Sequence, residues 1–261
     1  QAGGQVRLAT HNPRRRELIG IIDWRLAELE RLGVQIQYDC WAEKDDVLAL
    51  SPDMVVVATG GMPQNPPLTA GDELVTSSWD IMAGSAKPAE SVLLYDDSGG
   101  HAGMGAAELI ANAGSRLELV SPERFFAPEM GGLNHAPYMR AFHEKGVTIT
   151  INTRLKAVRR EGNQLVATLG SDFAEGWSDE RRVDQVVVEH GTLPLDELYL
   201  TLKPLSRNLG AVDYERLVKG GDVFPVRNPE GAFTLLRIGD AVASRNIHAA
   251  IYDGIRYGIR I

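Results

Sequence analysis

Asp53-Met54-Val55-Val56-Val57-Ala58-Thr59-Gly60-Gly61-Met62-Pro63 is the stretch on which the fold turns, because the chain contains it twice. It aligns without a gap on Asp184-Gln185-Val186-Val187-Val188-Glu189-His190-Gly191-Thr192-Leu193-Pro194, 131 positions further on. The leading Asp, three Val, one Gly and the closing Pro keep their places. Each copy follows a Gly-Val step and an alternating run, Gly33-Val34-Gln35-Ile36 in the first and Gly146-Val147-Thr148-Ile149 in the second. Repeats are sought first because they set the architecture. An interval as long as a domain signals two related domains rather than a solenoid. The unbroken apolar run Met54–Ala58 is the mark of a strand buried on both faces of a parallel sheet.

Working outward, Leu18, Ile21, Ile22, Leu26 and Leu29 recur with helical spacing, so a helix is predicted from Glu17 to Leu32, stopped by Gly33. Val34–Tyr38 alternates and reads as a strand. Ser91–Tyr95 is another apolar strand, Gly105–Ala113 a helix of small residues, and Arg116–Val120 a strand again. Strand, helix and strand in that order imply a right-handed crossover. Ala157–Arg182 is polar and hairpin-like, with turns at Gly162-Asn163 and near Gly176. Pro63–Pro67 is a proline-rich loop. Met62–Pro88 reads as a crossing between domains, with Trp79 as a packing anchor. Arg14-Arg15-Arg16 reads as a solvated helix start.

The formal net charge of −8 and a pI near 5.3 argue against a nucleic-acid backbone as partner, since such binding rests on clustered Lys and Arg. The single cysteine, Cys40, allows no internal disulfide and no cysteine-ligated cluster. No apolar run reaches the roughly 18 residues of a membrane span, and the first residues resemble no secretory leader. The expectation is a cytoplasmic protein, and a start without Met suggests a fragment or processed product. His11, His101, His135, His143, His190 and His248 show no metal spacing, and Ser98 stands in no hydrolase elbow. No metal site and no catalytic residue is expected within the chain.

Three motifs could hold a ligand. Ala58-Thr59-Gly60-Gly61 ends a buried strand in small residues, which lets backbone approach a ligand at the C-terminal edge of a parallel sheet. Ile238-Gly239-Asp240 ends a second strand before a helix that starts near Asn246, Ile247 and His248. Asp240 there can accept from a ligand hydroxyl or cap the turn, and the helix start offers free N–H groups to a phosphate. Ser98-Gly99-Gly100-His101-Ala102-Gly103 occupies the place of the G-x-G-x-x-G dinucleotide turn, with Ser98 where the first glycine belongs. The following strand ends at Ser121 without an acid to read a ribose hydroxyl, and Arg124 is near.

In this order the motifs resemble flavoproteins with two dinucleotide-binding domains of the glutathione-reductase type. More closely, Gly3-Gly4-Gln5, Asp23-Trp24, Val57–Pro63, Ser78-Trp79-Asp80 and Ile238-Gly239-Asp240 through Asp253-Gly254 resemble the C-terminal part of the trimethylamine dehydrogenase, histamine dehydrogenase and 2,4-dienoyl-CoA reductase family. The branch with N-methyl amino-acid demethylases is nearer, because the central glycine fingerprint is eroded. The resemblance implies an α/β protein with two Rossmann-like nucleotide-binding domains, the first truncated at its N-terminus. Residues 1–83 and 212–261 would form the FAD- or ADP-binding domain, and residues 84–211 an inserted NAD(P)-type domain. It further implies that FMN and a 4Fe-4S cluster belong to an N-terminal barrel outside these residues. Gln5, Ala58, Thr59, Gly60, Gly239, Asp240, Asn246, Ile247 and His248 would contact FAD or ADP, bound weakly or not at all without the first strand–helix–strand unit. Gly99, Gly100 and Gly103 would form the uncertain NAD(P) site. The expected partners are the nucleotide, the parent barrel and further copies of the chain, with no nucleic acid and no membrane. The expected function is support of cofactor binding and electron transfer in an amine dehydrogenase, demethylase or enoate reductase. The rivals are a free-standing NAD(P)H-dependent reductase and a non-catalytic ADP-binding assembly module.

Overall fold

A computed structural model describes residues 1–64 and 68–260, so part of the proline-rich loop at Pro63–Pro67 lies outside the described residues. In chain order the helices are α1 (Gly4–Thr10), α2 (Ile19–Arg31), α3 (Lys44–Ala49), α4 (Ser78–Ala83), α5 (His101–Asn112), α6 (Gly132–Lys145), α7 (Glu197–Leu202), α8 (Tyr214–Lys219) and α9 (Ile247–Gly258). The strands are β1 (Met54–Val57), β2 (Gly61–Pro63), β3 (Val75–Ser77), β4 (Ser91–Asp96), β5 (Arg116–Val120), β6 (Thr148–Thr150), β7 (Arg154–Glu161), β8 (Gln164–Gly170), β9 (Ser178–Val183), β10 (Gln185–Glu189), β11 (Thr192–Pro194) and β12 (Thr234–Arg237). The chain divides into two compact units. The first comprises Gln1, 35–62 and 192–261; the second comprises 2–34 and 63–191. Residues 63–83 fall in the second unit because Ile81 and Met82 join its core, as Leu8 does from α1.

The second unit is built on a five-stranded sheet in the order β3-β10-β4-β5-β6, with every recorded pairing parallel. Every residue of β4 is buried, so both its faces must be covered. Side chains alternate across a strand, and the two faces are covered differently. Val92 and Leu94 pack with Met104, Ala107 and Ile110 of α5 and with Tyr138 and Phe142 of α6. Leu93 and Tyr95 pack with Leu155, Val158, Leu165 and Leu169 from the antiparallel sheet β7-β8-β9. The hairpin expected in 157–182 is therefore the second cover of the parallel sheet. Trp79 packs partly buried against the α5 core, as an anchor should.

The first unit pairs β1 with β12 in parallel, Val57 opposite Arg237. Its core is Val57, Tyr199, Leu202, Phe233, Leu235 and Ala241. Two expectations fail here. Residues 34–38 form no strand, and Val34, Ile36 and Tyr38 stay exposed. Strand β1 is not buried on both faces, since Val56 is 41% exposed. The physical reason is shared: among the described residues β1 has β12 as its sheet neighbour, and an alternating segment with nothing to pair against gains nothing from extending.

The arginine run is not simply solvated. Asn12 caps the turn that follows by accepting from Arg14 N–H, and its amide donates to buried Glu108 of α5 at 2.9 Å. The Arg14 guanidinium donates to the same carboxylate through Nε at 3.1 Å. Glu108→Ala would leave both donors without their acceptor inside the second unit. We expect a loss of about 1–3 kcal/mol, read from urea unfolding, whereas Arg159→Ala, which breaks exposed ion pairs, should leave the midpoint unchanged.

Candidate functional site

In the first unit, β1 and β12 end together. Ile238 N–H donates to Val57 O at 3.0 Å, one step beyond the last paired residues. Ala58-Thr59-Gly60 and Gly239-Asp240 therefore leave neighbouring strands at one C-terminal sheet edge, where open α/β sheets bind ligands. Gly60 and Gly239 both take left-handed backbone, φ 74° and 61°. A Cβ on Gly239 would sit 3.4 Å from Cβ of Ala250, so its turn lies close under α9. Asn246 caps α9 by accepting from Ala249 N–H at 2.9 Å, which puts Ile247 and His248 in the first turn. Early N–H groups of a helix lack partners within it and favour anions.

Two side chains at this edge are already engaged. Thr59 Oγ1 donates to Leu195 O, and Asp240 Oδ1 accepts from Arg245 N–H at 3.1 Å, bracing the loop between turn and helix. A carboxyl oxygen can accept more than one hydrogen bond, so the bond from Arg245 does not by itself bar a ligand hydroxyl from Asp240. Behind the turn, buried Asp253 accepts from Gly239 N–H at 3.0 Å, pairs with Arg245 and lies 2.9 Å from the Arg256 guanidinium. Burial pushes the Asp253 carboxyl up, but the hydrogen bonds from Arg245 and Gly239 and the charges of Arg245 and Arg256 outweigh it and hold it below the usual range.

The second unit carries the glycine turn between β4 and α5. Gly100 is the residue before α5, and Gly103 lies in its first turn. Asp96, the last residue of β4 and 1% exposed, reaches into the turn. Its Oδ1 accepts from Ser98 N–H at 2.9 Å, Ser98 Oγ at 2.9 Å and Gly99 N–H at 3.0 Å. Glu189, opposite Asp96 across the β10–β4 pairing, is also buried; it accepts from Ser78 Oγ and from Gly191 N–H at 2.7 Å. Burial, with the neighbouring Glu189 charge, pushes the Asp96 carboxyl up to about 7 against the turn's hydrogen bonds. Burial likewise raises Glu189. Asp97 accepts from or pairs with His190 Nδ1 at 2.8 Å.

Ala58, Thr59, Gly60, Gly239, Asp240, Asn246, Ile247 and His248 thus lie in the first unit, while Gln5 on α1 and Gly99, Gly100 and Gly103 lie in the second. Asp96, Glu189 and Asp253 were missed. For Asp96 the signal was present in two acids directly after an apolar strand.

Residues 22–215 match the family described as pyridine nucleotide-disulphide oxidoreductase. The chain belongs to that family. A family so described works with FAD and NAD(P). The chain is 54% identical, over 97% of its length, to a probable N-methylproline demethylase of Rhizobium meliloti (strain 1021). It is 39% identical, over 98% of its length, to an N,N-dimethylglycine/sarcosine dehydrogenase of Chromohalobacter salexigens. It spans 37% and 38% of those relatives. Its fold is shared with histamine dehydrogenase from Rhizobium sp. 4-9, with a TM-score of 0.78, 21% identity and coverage of 100% of this chain and 38% of that one. The resemblance to the amine dehydrogenase branch and the α/β fold class are borne out. Among the described residues, no helix is long and apolar enough to cross a membrane.

A carboxyl whose folded pKa lies above its unfolded value stabilises fully below the unfolded value and loses that contribution as pH rises to the folded one. For Asp96 the window runs from about 4 to about 7. Asp96→Asn should therefore remove a decline of up to about 1.4 kcal/mol per pH unit in that window, read from denaturant midpoints across pH. A wild-type–variant difference that grows in the opposite direction would refute the assignment. Gly103→Ala puts a Cβ 2.4 Å from Asp96 Oδ2, and a cost of about 1–3 kcal/mol is expected from the same measurement.

Proposed function

We propose that the first unit holds the ADP part of a nucleotide cofactor, as ADP or as FAD, within a flavin-dependent amine dehydrogenase or demethylase. The observation that carries the reading is the shared edge of β1 and β12: two glycine turns, a carboxylate at Asp240 and the start of α9 all follow these two strand ends. The residues there suit such a group. Backbone can approach at Gly60 and Gly239, Asp240 can accept from a hydroxyl, and the first turn of α9 with Ile247 and His248 can face a phosphate. When bound, FAD would supply electron transfer; the chain's own residues bind and orient it.

The substrate class proposed for the whole enzyme is an N-methylated amino acid, on the names of the relatives. FMN and a four-iron cluster are proposed for the part of those longer relatives outside this chain, consistent with one cysteine here, too few thiolates for a cluster. The proposed partners are that part and further copies of the chain. Tyr252, Ile255 and Ile259 leave an apolar face of the α9 segment exposed, as a covered surface would. The cytoplasm is the proposed compartment. The limits 1–83 with 212–261, against 84–211, are proposed as a division by ancestry of the repeat rather than by contact.

ADP and FAD titrated by calorimetry into the full-length enzyme test the reading, with hydrogen exchange locating the site. Binding should slow amide exchange in 58–60 and 239–250. Asp240→Ala should weaken it roughly 10- to 150-fold, the equivalent of losing a charged hydrogen bond of about 1.5–3 kcal/mol. Equal affinity in the variant, or no protection in these segments, would sink the proposal.

A further inference from the structure

The family's pyridine nucleotide has an expected place in the second unit, the turn Ser98–Gly103. In a dinucleotide turn the glycines let backbone approach a pyrophosphate, and N–H groups at the helix start receive it. The residues present do not fit that group. The N–H groups of Ser98 and Gly99 are already given to Asp96 Oδ1, at 2.9 and 3.0 Å. The other carboxyl oxygen fills the space that the third glycine of the fingerprint provides, since a Cβ on Gly103 would meet Asp96 Oδ2 at 2.4 Å. The turn is also covered from the loop after β5. A Cβ on Gly99 would meet Pro128 Cδ at 2.5 Å, and Glu129 N–H donates to Gly99 O at 3.2 Å.

The electrostatics agree with the sterics. Glu189 sits beside Asp96 in the strand register, and Asp97 follows it in sequence. A pyrophosphate brought to this edge would add its negative charge to a site already furnished with three acids. At the end of β5, Val120 is followed by Ser121, which has no carboxylate to accept from a ribose hydroxyl.

We infer that the Asp96 carboxyl group fills the phosphate cradle of the second unit, so that this unit has given up its pyridine nucleotide site while keeping the turn as structure. The glycines then serve the internal carboxyl: Gly99 and Gly103 are small because Pro128 and Asp96 occupy what their side chains would need. The inference concerns the second unit alone and stands whether or not the first unit holds ADP or FAD.

The test is hydrogen exchange of the whole chain with millimolar NADH or NADPH, following peptides over 97–104 separately from those over 239–250. Wild-type protein should show no nucleotide-dependent slowing in 97–104, whatever happens in 239–250. Asp96→Ala frees the Ser98 and Gly99 amides, and should bind NADH or NADPH at least about tenfold more tightly at 97–104 than the wild type does. Protection of 97–104 in the wild type would overturn the inference, as would a folded Asp96→Ala with no gain there. Should Asp96→Ala not fold, the wild-type exchange decides: slowing by nucleotide in 97–104 refutes the inference, and unchanged exchange supports it.

Discussion

A parallel strand with no face in water has to be covered twice, and this obligation shapes the second unit. All of β4 is buried, and its neighbours β10 and β5 are apolar enough to share its two interiors. One face receives α5 and α6, the other the antiparallel sheet β7-β8-β9. The helix cover explains why α5 is composed of small residues: Ala106 and Ala107 are fully buried, and helix and sheet approach closely where side chains are short. The antiparallel cover explains why a polar segment can finish the fold. Its inward residues Leu155, Val158, Leu165 and Leu169 are buried, while its outward residues form exposed ion pairs such as Arg159 with Glu180 and Arg182 with Glu161.

Burying strands fully has a consequence at their C-terminal ends. Polar groups that belong near a ligand emerge from an apolar interior with little water around them. In the first unit the carboxylates near the strand ends are met by arginines: Asp253 of α9 by Arg245 and Arg256, and Asp196 by Arg237 at 2.6 Å. In the second unit Asp96 and Glu189 are met by hydroxyls and backbone N–H groups instead. Hydrogen bonds without a cation compensate burial only in part, and the carboxyls are pushed up rather than down. Asp253, with arginines beside it, is held low, whereas Asp96 and Glu189 are pushed up.

What was legible in the sequence follows from what each signal measures. The runs Ser91–Tyr95 and Arg116–Val120 report burial, and they became β4 and β5 because pairing and burial agreed there. The Gly-Asp turn at 239–240 and the cap at Asn246 are local chemistry and were readable for the same reason. Val34–Tyr38 had the alternation of a strand, but alternation states only which face would be buried. It cannot supply the neighbour that buries it, and Val34, Ile36 and Tyr38 stay exposed to solvent. Arg14 was misread because its partner Glu108 is distant in sequence. Asp96, Glu189 and Asp253 escaped for that reason too: their roles depend on backbone donors and cations that the fold brings to them.

The fate of the glycine fingerprint illustrates how such a motif can persist after its ligand is lost. A turn whose N–H groups converge on one point stabilises whatever anion stands there. If a phosphate is the occupant, the strand's last residue must be small. Once that residue is Asp96, the same N–H groups bind a side chain held at high effective concentration, and a mobile nucleotide has to compete with it. The turn then remains under structural constraint at Gly99 and Gly103, because their neighbours Pro128 and Asp96 leave no room for a Cβ. A glycine pattern is thus evidence of close approach to the backbone, and the approaching atom must be identified from the structure before a ligand is assigned.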